Sequence, residues 1–119
     1  MKAIGVDIIE TKRISKSMAR FGARFLKRVY TVQELSYCHG RVNSLAARWA
    51  AKEAVAKALG TGIGAVSWQE IEVINQPNGQ PELLLHGQAK TLAHGLGLLE
   101  FKLSLSHTKK YAVAFVVGS

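Results

Sequence analysis

The sequence predicts an α+β fold, a single compact domain over residues 1–119 in which an antiparallel sheet packs against helices. Three observations predict it. The apolar runs 3–9 and 111–117 read as strands at the two ends of the chain. Helical periods of three and four occupy the first half, and two strand pairs with turn signals occupy the second.

Taken in order, Ala3-Ile4-Gly5-Val6-Asp7-Ile8-Ile9 is nearly all apolar and reads as a buried strand. From Thr11 to Tyr30, Ile14, Met18, Phe21, Phe25 and Val29 recur every three or four residues, which predicts one helix with a single buried stripe, weakened slightly by Gly22. Thr31-Val32-Gln33-Glu34 has the form of a capping box and starts a short second helix that ends near Gly40. Asn43 or Ser44 caps a third helix, which Gly60 terminates. Residues 68–74 alternate, Pro77-Asn78-Gly79-Gln80-Pro81 turns, and Glu82 to His86 returns as the second strand of a hairpin. A short helix lies between Gly87 and Gly97. Residues 100–106 and 111–117 then form two strands joined at His107-Thr108-Lys109-Lys110.

No apolar run approaches the roughly 20 residues of a membrane span, and the N-terminal stretch is too short for a signal peptide. Cys38 is the sole cysteine, so no intrachain disulfide forms. A cytoplasmic protein that does not engage a membrane is expected. The net charge of +8 is concentrated between Thr11 and Gln33, where seven Lys or Arg occur with no acid. An anionic partner is expected there.

The helix Arg48-Trp49-Ala50-Ala51-Lys52-Glu53-Ala54-Val55-Ala56-Lys57 carries the candidate chemistry, together with Asp7, the only aspartate. Helical spacing puts Trp49, Glu53 and Lys57 on one stripe and Arg48 and Lys52 on the next, so one carboxylate is framed by three cations. Asp7 and Glu53 are candidate Mg²⁺ ligands, because that ion is held by one or two carboxylates plus substrate phosphates and water. Lys57 would then offset charge on a transferring phosphoryl group, with Arg48 and Lys52 on further phosphates. Each residue also has an ordinary reading. Asp7 suits a carboxylate at a strand end that caps the next helix, Glu53 an exposed pair with Lys57, the cations a solvated face, Trp49 a core residue, and His107 a structural histidine. Thr61-Gly62-Ile63-Gly64 lacks the Gly-Lys-Ser/Thr element of a phosphate loop and follows a helix where it should precede one. Arg13, Lys16, Arg20, Arg24 and Lys27 form a continuous basic stripe with no interleaved aromatics for stacking bases, which suits an acidic helix better than nucleic acid.

Three motifs in order, Ile4-Gly5-Val6-Asp7-Ile8-Ile9-Glu10 with Arg13-Ile14, Arg48-Trp49-Ala50-Ala51-Lys52-Glu53-Ala54 with Lys57-Ala58, and Ser104-Leu105-Ser106-His107 with Tyr111-Ala112-Val113-Ala114, resemble the small trimeric class of 4′-phosphopantetheinyl transferases, the holo-acyl-carrier-protein synthases. The resemblance runs over nearly the whole chain. It implies that fold, and Mg²⁺-dependent transfer of the phosphopantetheine arm of coenzyme A to a serine of apo-acyl carrier protein in fatty acid biosynthesis, with adenosine 3′,5′-bisphosphate as the other product. It implies Asp7 and Glu53 as metal ligands and Lys57 as the phosphate lysine. Arg48 and His107 match coenzyme A contacts, implied at the 3′-phosphate, and Gly79-Gln80-Pro81 a loop at the adenine side. Gln80 stands where the family often carries a lysine or arginine. A homotrimer with sites between subunits is implied, with Arg13, Lys16, Arg20 and Arg24 receiving the acidic helix of the carrier. The alternative is a basic RNA- or polyanion-binding module without catalysis, whose binding would survive loss of both carboxylates.

Overall fold

In a computed structural model of the chain, which describes residues 2–119, a three-stranded antiparallel sheet carries a long helix across one face. The elements are β1 (Ala3–Glu10), α1 (Thr11–Phe21), α2 (Ala23–Val29), α3 (Val32–Cys38), α4 (Val42–Ala58), a 3-10 turn (Trp68–Glu70), β2 (Ile71–Asn75), β3 (Pro81–Leu85), α5 (Gly87–Gly95), β4 (Phe101–His107) and β5 (Tyr111–Gly118). The sheet order is β1-β5-β4, and β2 and β3 form a separate hairpin. In register, Asp7 faces Ala114 across β1 and β5, and Ala114 faces Leu105 across β5 and β4.

Small residues set how closely sheet and helix approach. α4 buries Ala46, Ala47, Ala50, Ala51 and Ala54, and the sheet presents Gly5, Ala112 and Ala114. A Cβ added at Gly5 would overlap the Ala54 carbonyl, so glycine is required for β1 to lie against α4 at that point. This approach brings Asp7 within reach of the C-terminal turns of α4.

Two expectations are corrected. The predicted buried strand at 3–9 is buried on one face only: β1 is an edge strand, and Ile4, Val6 and Ile8 are exposed on its other face with Phe115 and Tyr111 of β5. The predicted helix over 11–30 is two helices, because Gly22 adopts φ +58° and ψ −134°, outside any helical region. The break turns α2 so that Phe25 packs on Trp49 of α4, which in turn stacks on Trp68 with ring centroids 4.2 Å apart. The basic stripe is therefore divided between two helix axes, with Arg13, Lys16 and Arg20 on α1 and Arg24 and Lys27 on α2.

The capping box at Thr31 forms as the sequence indicates. The Thr31 hydroxyl accepts from the Glu34 amide, and Glu34 Oε1 accepts from the Thr31 amide. No helix among the described residues is long and apolar enough to cross a membrane.

Candidate active site

Asp7 lies on the helix-facing side of β1, between Gly5 and Ile9, and α4 delivers Glu53 and Lys57 to it from successive turns of one stripe. Lys57 Nζ donates to Asp7 Oδ1 at 2.9 Å and to the Val6 carbonyl at 3.1 Å. The Asp7 side chain is largely covered while the Lys57 side chain remains half exposed, so the pair opens to solvent on the lysine side. Partial burial pushes the Glu53 carboxyl up from its ordinary range, and the Asp7 carboxylate adds to this, while Lys57 and Arg13 pull it down. Two carboxylates close enough to repel, with one ammonium and one guanidinium beside them, form a site that a divalent cation would relieve.

Among the described residues no cluster of three His, Cys, Asp or Glu is formed, and Asp7 and Glu53 are the two carboxylates that could meet a cation at this edge. That donor set fits Mg²⁺, which keeps several waters and seldom takes an all-protein cage.

The cations around Glu53 are not the three that the sequence suggested. Lys52 is fully buried and donates to Glu34 Oε1 at 2.8 Å, to the Trp68 carbonyl at 2.9 Å and to the Ile71 carbonyl at 2.5 Å. All three ammonium hydrogens are used, and no phosphate can reach them. Burial pushes the Lys52 ammonium down, opposed by the Glu34 carboxylate beside it. Arg48 is 4% exposed, lies 4.6 Å over the Tyr37 ring, and donates to the Ser44 carbonyl and to Asn75 Oδ1. Arg13, read from sequence only as part of the basic stripe, is the cation that joins Lys57 near Glu53.

Gly79, Gln80 and Pro81 form the tip of the β2–β3 hairpin, and Gln80 and Pro81 line a cleft of about 370 Å³ with Leu99 to Leu103 at the start of β4. His107 is exposed at the other end of β4, where the turn to β5 is tied to α1 by the Thr11 amide and hydroxyl donating to the Lys110 and Lys109 carbonyls at 2.8 Å each. Six strand steps of about 3.3 Å each, roughly 20 Å, separate His107 from Phe101, and the hairpin tip borders the Phe101 end of β4. One chain thus gathers Asp7, Glu53, Lys57 and Arg13, and sets Gly79 to Pro81 apart from His107. Arg24 and Arg28 border a groove of about 240 Å³ with Phe21 and Phe25 at the bend between α1 and α2.

Residues 3–116 match the family model of the 4′-phosphopantetheinyl transferase superfamily. The chain belongs to this superfamily. Curated members similar to it include the holo-[acyl-carrier-protein] synthases of Koribacter versatilis, 50% identical over 95% of this chain and 94% of that one, and of Herpetosiphon aurantiacus, 50% identical over 99% and 98%. Among solved members, the Neisseria meningitidis holo-[acyl-carrier-protein] synthase superposes with a TM-score of 0.90 at 39% identity, covering 100% of this chain and 98% of that chain. The Helicobacter pylori synthase, solved in complex with coenzyme A, gives 0.89 at 34% identity over 98% and 99%. The α+β fold predicted from the sequence is therefore the fold of this transferase superfamily.

Proposed function

We propose that this chain is a holo-[acyl-carrier-protein] synthase that uses Mg²⁺ to transfer the 4′-phosphopantetheine arm of coenzyme A to a serine hydroxyl of an apo-acyl carrier protein, serving fatty acid biosynthesis in the cytoplasm. Residues 1–119 act as one transferase domain. The observation that carries the reading is the convergence of Asp7, Glu53 and Lys57 on one edge of the β1–α4 contact, in a chain half identical over nearly its whole length to synthases of that name.

Asp7 and Glu53 would hold the metal, which when bound offsets the charge of the pyrophosphate. Lys57 supplies an ammonium to the same phosphates from its exposed side. The serine oxygen attacks the phosphorus next to the pantetheine. The bond from that phosphorus to the bridging oxygen breaks, and the electron pair leaves with adenosine 3′,5′-bisphosphate. Glu53, or a water held by the two carboxylates, takes the serine proton. His107 and the Gly79-Gln80-Pro81 tip contact the nucleotide portion, whereas Arg48 supports that region from below.

The placing of the hairpin tip beside the start of β4 and of His107 at its end supports a site completed by two subunits. The outer face of the sheet supports a homotrimer, since Ile4, Val6, Ile8 and Phe115 form a contiguous exposed apolar surface that burial against another copy would cover. Arg13, Lys16, Arg20 and Arg24 with the Phe21–Phe25 groove suit the acidic, partly apolar helix of a carrier protein.

Intact-mass spectrometry of apo-acyl carrier protein incubated with the protein, coenzyme A and Mg²⁺ tests the reading. A gain of one phosphopantetheine arm, abolished by EDTA and by Glu53→Gln, is expected. No gain with folded protein, together with salt-sensitive polyanion binding that survives Asp7→Ala and Glu53→Ala, would replace it with a binding module.

A further inference from the structure

We infer that Asn75 is a positioning residue for coenzyme A, its side-chain amide anchored on α4 by Arg48 and holding the Gly79–Pro81 tip in the conformation that receives the nucleotide. This rests on the reading that the tip lies at the nucleotide.

The argument begins with the way the hairpin ends. Asn75 pairs with Pro81 in the final rung of the β2–β3 ladder, and proline brings no N–H to it. Beyond that rung, the Gln76 amide donates to the Gln80 carbonyl, the Gly79 amide to the Gln76 carbonyl, and the Gln80 amide to Asn78 Oδ1. The Gln76 side chain reaches Glu82. All of these bonds run from hairpin to hairpin. They shape the tip, including the φ of +87° at Gly79, without fixing it against the rest of the protein.

The Asn75 side chain supplies that attachment. Its Oδ1 accepts from Arg48 Nη2, and its Nδ2 donates to the Gly79 carbonyl at 3.1 Å. The orientation of the amide is unambiguous, because a guanidinium only donates and a carbonyl only accepts, so the reversed amide would lose both bonds. Arg48 is itself immobilised by burial, by the Ser44 carbonyl at 3.2 Å and by the Tyr37 ring. Its Nε is buried with no partner among the described residues. The path from the helix of Glu53 to the hairpin tip therefore consists of one guanidinium, one amide and one backbone carbonyl.

Asn75→Asp keeps the acceptor for Arg48 and removes the donor to Gly79; Asn75→Ala removes both and adds no charge near the phosphates. The expected result in both is a rise in KM for coenzyme A of about fivefold or more, with kcat within about twofold and the KM for the carrier unchanged. Hydrogen exchange at the Gly79 and Gln80 amides should quicken in the coenzyme-free protein, and Asn75→Asp should keep the parent melting temperature. Gly79→Ala perturbs the tip directly, since its positive φ strains any side chain while no atom crowds the position. If Gly79→Ala raises the KM for coenzyme A and neither Asn75 variant does, the positioning role is wrong and the nucleotide site stands. If none of the three moves that KM, the tip does not bind the nucleotide, and both readings fall.

Discussion

Replacing Lys52 by methionine separates two views of the signature helix, because a lysine that grips phosphates and a lysine that braces the core fail in different ways. The substitution keeps most of the side-chain volume and deletes an ammonium with three acceptors. It leaves the Glu34 carboxylate without exposed side-chain surface and without its counter-cation, although the Thr31 and Val73 amides still donate to it at 2.9 Å each. It also strips a donor from the Trp68 and Ile71 carbonyls where the 3-10 turn leads into β2. Removing one partner of a buried pair costs about 3–5 kcal/mol. At about 4 °C per kcal/mol for a chain of this size, the melting temperature should fall by about 12–20 °C at fixed protein concentration. Circular dichroism with heat and urea reads this directly. Adding Glu34→Gln should recover a substantial part of the loss, since the amide keeps an acceptor for Thr31 and removes the stranded charge. A Lys52→Met protein within about 1 kcal/mol of the parent, but with a raised KM for coenzyme A, would refute the bracing role and return Lys52 to the phosphates.

Gly5→Ala should destabilise the fold by about 2 kcal/mol or more, because the added Cβ meets backbone at Ala54, and should depress activity by moving Asp7 away from α4; urea titration with parallel kinetics checks both. Arg20→Glu should raise the KM for the carrier about tenfold while sparing that for coenzyme A, measured by steady-state kinetics at two salt concentrations. Ile8→Glu should dissociate the proposed homotrimer, read by sedimentation, without unfolding the chain. Burial raises the Glu72 carboxyl, but the Thr31 hydroxyl and His86 outweigh it and hold the group below its ordinary value of 4.5. With the folded value depressed, the unfolded state binds more protons in that window. The stabilisation is thus present above about 4.5 and lost as pH falls through the folded value; Glu72→Gln should flatten that acid limb in urea titrations.

Much of this architecture is legible in the residues. The stripe Trp49, Glu53, Lys57 forms as helical spacing dictates, the Thr31 capping box closes, and the hairpin around Asn78-Gly79 turns where expected. Lys52 was illegible because its acid lies 18 residues earlier in Glu34, and the helix-start signature already accounts for that glutamate. One carboxylate serves the cap, the ammonium and the Val73 amide at once, and only tertiary contact shows the second and third duties. Gly22 carries a propensity cost in any helix, but spacing alone does not tell a weakened helix from a broken one; the break accompanies the tertiary packing of Phe25 on Trp49. The run 3–9 reads as buried because isoleucine and valine occupy its open face while Ala3, Gly5 and Ile9 occupy its closed one, and periodicity vanishes when both faces are largely apolar.

The pairing of β1 with β5 gives the site a calendar. Residues 3–10 pair with residues 111–118, about a hundred positions later in the chain, so the ladder that seats Asp7 cannot close until β5 has been made. Until then α4 already carries Glu53 and Lys57, and the strand that will bring the aspartate has no ladder partner. A chain cut short before β5 would hold every acidic and basic group named for catalysis and still have no strand to fix the first of them. The order of synthesis thus makes the seating of Asp7 a late event, because the ladder on which it depends closes only once β5 is in place.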